Sequence, residues 1–256
     1  MDKEEQIFLK HLKDLADVCY RRDIPVYTDF LNLHEQTVFL SALPEFSHVR
    51  VFLDGGYDLA ERKIVCFLPF WEKVNQESLR SGLPIVPIRI SSSAGKFTVP
   101  CSHRDYLGAV LNLGIERGKI GDFIVGDGWA YVLCVKNMEN FLLRELSSVK
   151  RNPVHCERAD FSELEGRQKF TEITGTVASL RMDALLGLLL KTSRSKASEY
   201  LSGEKVFVNG KLCVSNSAEP KEGDIISVRG CGKYIFDSLL AETKKGRLMI
   251  RARKYD

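Results

Sequence analysis

The chain has 256 residues, 44% hydrophobic and 28% charged, which is the composition of folded globular domains and enough length for two or three of them. No run of ~18 apolar residues offers a membrane-spanning helix, and the mixed-charge start MDKEEQIFLKHLKDL has neither the apolar core of a secretory leader nor the acid-poor character of a transit peptide. The net charge of +3 is unevenly spread: from Arg181 onward 15 Lys and Arg face 9 Asp and Glu, a net of +6, while residues 1–180 carry 22 against 25, a net of −3. A basic last third suggests a module for a polyanion, most simply nucleic acid; a solvated charged surface is the alternative. Seven cysteines, odd in number and without a Cys-x-x-Cys pair, disfavour a disulfide framework or a structural zinc site. Small buried thiols in a reducing cytoplasm are expected, with no metal and no cofactor.

Residues 4–21 place Phe8, Leu12, Leu15 and Cys19 on one helical stripe, and Pro25 helps stop that helix. A second helix is expected over Asp29–Leu43. His48–Leu53 and Lys63–Leu68 read as partner strands around Asp54-Gly55-Gly56. These elements make a small α/β unit, and the polar stretch Glu72–Gly82 links it to the next. Then follow a strand (Ile85–Ser91), a helix (Ser102–Leu113, with Ser102 as N-cap and Gly114 as stop), and two strands (Asp122–Val125, Trp129–Val135) around Gly126-Asp127-Gly128. A helix from about Asn137, carrying Phe141, Leu142 and Leu146, and a strand over Pro153–Cys156 complete a β-α-β-β-α-β order. That is the layout of an RRM-like or ferredoxin-like sandwich. An RRM reads RNA through aromatic side chains on its central strands. Trp129 and Tyr131 are available here for stacking or for core packing, but Ile85–Ser91 has no aromatic residue and no RNP consensus is present. Residues 159–180 are polar, with β-branched alternation in FTEITGTVAS, and read as an extended linker.

The C-terminal module carries the strongest signal. Met182, Leu185, Leu186 and Leu189 give an apolar face to a helix over Arg181–Lys191. Ser193 caps a second helix, Arg194–Leu201, which ends at Gly203, with Ala197, Tyr200 and Leu201 toward the core. Val206–Val208 and Leu212–Val214 flank Asn209-Gly210, a hairpin signal, and Asp224–Arg229 supplies another strand. Arg194 and Lys196 fall in the first turn of the second helix, where the dipole disfavours cations. Their presence makes sense if a phosphate is the intended neighbour of that helix start. Ser193 and Ser195 add hydroxyls, Lys205 and Lys211 sit at strand edges, and Asn209 offers an amide. The tail KKGRLMIRARKYD reads either as a flexible basic arm or as a final strand.

The run from Arg181 to Tyr234 resembles the S-four RNA-binding domain. The matching pieces are Arg181-x-Asp183, Ser193-Arg194-Ser195-x-Ala197, the glycine at 203 with Val208-Asn209-Gly210, and Gly223-Asp224-x-Ile226. HRDYLGAVLNLGIERGKIGDFIV and VRGCGKYIF are similar to the bacterial YlmH family, in which an N-terminal α/β region, an RRM-like domain and an S-four domain follow one another. The resemblance implies an α+β chain with an N-terminal α/β domain (1–82), an RRM-like βαββαβ domain (83–158), a linker (159–180) and an S-four domain with a basic tail (181–256). It implies RNA binding without chemistry: a cytoplasmic monomer holding rRNA or tRNA on the large ribosomal subunit, in ribosome-associated quality control or rescue of stalled translation, with no membrane partner. Carried onto this chain, the RNA-facing residues are Arg181, Ser193, Arg194, Ser195, Lys196, Lys205, Asn209 and Lys211, with Arg229 and Lys233 as outer candidates.

Catalytic motifs fit poorly. His103-Arg104-Asp105 echoes a kinase catalytic loop, but Asn112 lies seven rather than five residues beyond the Asp, and no Gly-rich loop accompanies it. Arg181-Met182-Asp183 resembles the Arg-Leu-Asp of RNA pseudouridine synthases, yet it opens a helix of the small module, where an acidic residue suits the dipole. Cys101-Ser102-His103 does not make a metal site, and Asp54-Gly55-Gly56-Tyr57-Asp58 fails calcium-loop spacing. An RNA-modifying enzyme that uses the S-four domain to position its substrate is the alternative reading, and protein docking is a third use for the N-terminal unit.

Overall fold

The structure, a computed structural model, describes residues 2–72, 80, 82–93, 99–243 and 246–255. Most of the expected link over 72–82 lies outside the described residues. The chain is α+β and divides into two compact units, 1–167 and 168–256.

In the first unit, helix α1 (Lys3–Arg22) opens with a reciprocal cap between Asp2 and Glu5. Its buried centre is Leu9, Leu12, Ala16 and Cys19, with Phe8 and Leu15 at the margin, a small rotation from the expected stripe. Strand β1 is Val26–Tyr27. Helix α2 (Leu33–Ser41) starts four residues later than expected, at an Asn32–Glu35 capping box. Residues 29–31 are claimed instead by tertiary pairing: Leu31 bridges Lys63, and the Phe30 N–H donates to the Gly118 carbonyl at 2.8 Å. Strands β2 (Arg50–Asp54) and β3 (Ile64–Leu68) complete a sheet of order β1-β3-β2.

Strand β3 is buried along its whole length. Val65 and Phe67 face the α1/α2 core, while Ile64, Cys66 and Leu68 face the next part of the chain. That part comprises β4 (Ile85–Ser92), α3 (His103–Leu111), β5 (Ile120–Gly126), β6 (Trp129–Val135), α4 (Glu139–Glu145), β7 (Ser148–Val149) and β8 (Asn152–Arg158), with sheet order β5-β6-β4-β8-β7. One face of this sheet, with Ile88, Ile90, Val132 and Cys134, packs with Tyr106 and Val110 of α3 and Leu142 of α4. The other, with Ile85, Ile124, Tyr131, Leu133 and Val135, packs on Phe30, Ile64, Cys66 and Leu68. The expected boundary at 82/83 therefore falls between two segments that share a core. Gly121 marks their closest approach, since a Cβ there would meet the Phe30 ring at 2.7 Å. Polar contacts lock the joint: the Asp122 carboxylate accepts from the Glu61 N–H at 2.6 Å and the Tyr57 hydroxyl at 3.0 Å, and the Arg62 guanidinium donates to the Phe30 carbonyl at 2.6 Å. Burial pushes the thiols of Cys66 and Cys134 up to about 12.

The linker reading of 159–180 is corrected. Ala159 and Leu164 are buried in the shared core of the first unit, while Phe170–Val177 forms β9 of the second. The β-branched alternation recognised in the sequence was a true strand signal, and its partner is the chain's last strand.

In the second unit, α5 (Met182–Leu189) and α6 (Arg194–Ser202) lie on a sheet of β9, β10 (Val206–Val208), β11 (Lys211–Leu212), β12 (Ile225–Val228), β13 (Gly232–Glu242) and β14 (Leu248–Tyr255). All pairings are antiparallel, in the order β11-β10-β12-β13-β14-β9. The core holds Leu185, Leu186, Leu189, Ala197 and Leu201 from the helices and Val206, Ile226, Val228, Phe236, Ile250 and Ala252 from the sheet. The basic tail is thus a strand, with Ile250 and Ala252 inward. Strand β13 escaped the sequence reading because register shifts between Phe236 and Ser238 and between Leu239 and Ala241 break its period of two.

Candidate nucleic-acid interface

The start of α6 is built locally. The Ser193 Oγ accepts from the Lys196 N–H at 3.2 Å, the expected N-cap, and Ser193, Arg194, Ser195 and Lys196 are all exposed. Arg181 is the N-cap residue of α5, two residues before Asp183. The Asp183 carboxylate is buried and takes two arginines: Arg181 Nε and Nη2 donate at 3.2 and 3.3 Å, and Arg194 Nη2 donates at 2.7 Å. Burial alone would raise the Asp183 pKa, but hydrogen bonds from Arg181 and Arg194 outweigh it and hold the carboxyl below the ordinary carboxylate range. The side chains of Arg181 and Arg194 stay 40% and 51% exposed. One anion beneath two cations leaves a surplus positive charge at the α6 start. The cations are pre-positioned rather than sealed off.

The remaining residues divide between two faces. Lys205 is exposed, with its ammonium 5.9 Å from the centre of the Tyr200 ring on the helix side, and Lys211 is exposed on the edge strand. Asn209 and Gly210 both have positive φ (48° and 79°), the geometry of a two-residue type I′ hairpin. The Asn209 amide has a structural job: Nδ2 donates to Asp224 Oδ1 at 2.8 Å and Oδ1 accepts from the Ile225 N–H at 2.9 Å. Arg229 and Lys233 turn to the sheet face away from the helices. The Arg229 guanidinium lies 4.8 Å from the centre of the Phe207 ring, and the Lys233 ammonium 5.7 Å from that of Tyr255. Phe170, Phe207, Arg253 and Tyr255 of this face were not singled out in the sequence. The available signal was the outward alternation in RARKY, which needs the strand pairing to be seen.

Of the aromatic pair of the middle sheet, Trp129 is half-buried and Tyr131 is enclosed. Tyr131 is 1% exposed, its hydroxyl donates to Glu163 Oε2 at 2.9 Å, and the Arg167 guanidinium lies over both Trp129 and Tyr131, at 5.0 and 5.7 Å from the ring centres. Core packing, not stacking on a ligand, is the role of Tyr131. His103, Arg104 and Asp105 form the first turn of α3. Asp105 accepts from the Ser102 N–H at 2.7 Å and pairs with Lys150 at 2.8 Å, and these bonds hold its carboxyl down to about 2. Among the described residues no group of three or more His, Cys, Asp or Glu could hold a metal ion, and no helix is long and apolar enough to cross a membrane.

Fold and site together define an α+β protein whose C-terminal two-layer module displays an arginine-centred cation cluster at a helix start. The family described as "Putative RNA-binding domain in YlmH" matches residues 87–163. The ribosome-associated protein quality control protein P2 of Bacillus subtilis (strain 168) is 30% identical over 246 residues, spanning 96% of this chain and 93% of that protein. The cell division protein ylmH from Streptococcus pneumoniae shares the fold, with a TM-score of 0.50 at 20% identity over 64% of this chain and 95% of that one. The chain belongs to the YlmH family.

Proposed function

We propose that this protein is an RNA-binding factor of ribosome-associated quality control. It holds ribosomal RNA and tRNA on the large subunit through an S-four module and performs no chemistry of its own. One observation carries the reading: Arg181, the N-cap of α5, and Arg194, the first residue of α6, are both held by the buried Asp183 carboxylate while their side chains stay partly open to solvent, and α6 also starts with the exposed Ser193, Ser195 and Lys196. Charge-assisted bonds to phosphate oxygens are what such exposed guanidinium edges form. The description of the matching family as an RNA-binding domain and the quality-control name of the B. subtilis relative support the same direction. Affinity then comes mainly from counterion release, so with ~5 phosphates contacted, log K falls against log salt with a slope of about −3.5 to −4.5. The test is co-sedimentation of the double variant Arg194→Glu, Lys196→Glu with large ribosomal subunits. Loss of sedimentation at an unchanged circular dichroism spectrum is expected. A folded double variant that sediments like the wild type refutes the assignment.

A further inference from the structure

Both helices of the second unit lie on one face of its sheet. The other face carries a row of residues across the strands: Phe207 on β10 pairs with Ser227 on β12 and Ser227 with Lys233 on β13, Tyr255 on β14 pairs with Phe170 on β9, and the Lys233 ammonium reaches the Tyr255 ring to join the two. At ~4.8 Å per strand step, Phe207 and Tyr255 stand about 14 Å apart. Each ring carries a cation: Arg229 over Phe207 at 4.8 Å, Lys233 over Tyr255 at 5.7 Å and Arg253 over Phe170 at 4.8 Å, with the Phe170 and Tyr255 rings 4.9 Å apart. The Arg253 guanidinium is fixed by Asp237, with Nη2 at 2.6 Å from Oδ1 and Nε at 2.8 Å from Oδ2. Arg229 and Arg251 are exposed, and with Lys233 and Arg253 they outnumber Asp237 and Glu172 on this face.

Cross-strand aromatic pairing by itself stabilises a sheet. It does not call for a cation over every ring on a face with a surplus of positive charge. That combination is what proteins that hold unpaired nucleotides use: aromatic and guanidinium planes stack the bases, and the cations follow the backbone. We propose that this sheet face is a second RNA-binding surface, taking a short single-stranded segment whose bases stack along Phe207, Tyr255 and Phe170. The helix face, built of cations and hydroxyls at a helix start, instead suits the phosphates of folded RNA. The inference rests on the proposed RNA reading only for the class of ligand.

The test titrates the full chain with fluorescent single-stranded oligouridine and, separately, with an RNA hairpin. The triple variant Phe170→Leu, Phe207→Leu, Tyr255→Leu keeps apolar bulk and removes the rings. Oligouridine affinity is expected to fall at least about tenfold, because each base–aromatic stack contributes several-fold or more, while hairpin affinity stays within about twofold. A folded triple variant that binds oligouridine like the wild type, or a wild-type chain that does not bind it, overturns the proposal. Should the triple variant not fold, ultraviolet crosslinking of wild-type protein to oligouridine decides. Uridine adducts on peptides holding Phe207 or Tyr255 support the platform; adducts confined to residues 181–196 overturn it. Hairpin binding untouched by the Arg194→Glu, Lys196→Glu variant instead defeats the helix-face reading, independently of the oligouridine result.

Discussion

Each unit contains an antiparallel sheet with helices on one face, and the two treat the other face in opposite ways. In the first unit that face is covered by β3 and the turn at 159–164, so Tyr131 and Leu133 serve as core. In the second the equivalent face keeps its rings and cations partly open. A sheet layout therefore says little about which face is open to a partner; what covers the sheet decides.

The sharpest way to break this comparison is to damage the covered face. Leu133→Ala empties a fully buried position and is expected to cost about 2–5 kcal/mol. Calorimetry should show the first unit melting earlier, with RNA affinity at temperatures below that melt unchanged. A loss of affinity in still-folded protein would mean that the covered sheet contributes to binding. Next in size is Asp183→Asn, which leaves Arg181 and Arg194 without their buried anchor and is expected to destabilise the second unit by about 1–3 kcal/mol. Because the Asp183 pKa is lowered by folding, its contribution is present above its unfolded value and disappears as pH falls through the lowered folded value. The stability gap between wild type and variant, followed by thermal melts, should therefore be constant from neutrality to about pH 4 and close below that. The smallest effect sharpens the contrast from the other side: Trp129→Leu should change RNA affinity by no more than about 0.5 kcal/mol, the range of substitutions away from a site. A larger loss in a titration would show that the Trp129 edge meets RNA after all.

The local elements were legible because local physics fixes them. The N-caps Ser102 and Ser193, the tight hairpin at Asn209-Gly210 and the inward leucines of α5 each depend on neighbours within a few residues. The cation cluster at the α6 start was legible for the same reason: Arg194 and Lys196 oppose the helix dipole there. From the sequence Asp183 is only a residue suited to a helix start, since nothing in the sequence brings Arg194 back to it.

By itself, then, the sequence determined the helices, most strands, the hairpin and the basic helix start, all short-range consequences of capping, turn geometry and side-chain period. Only the tertiary structure decided that residues 1–82 and 83–158 share one core, that 170–177 pairs with the final strand, and that Asp183 unites two arginines. Those outcomes depend on contacts between residues far apart in the chain, for which no local pattern exists. It also decided which sheet face is covered and which stays open, because burial is a property of the partner that arrives and not of the strand that receives it.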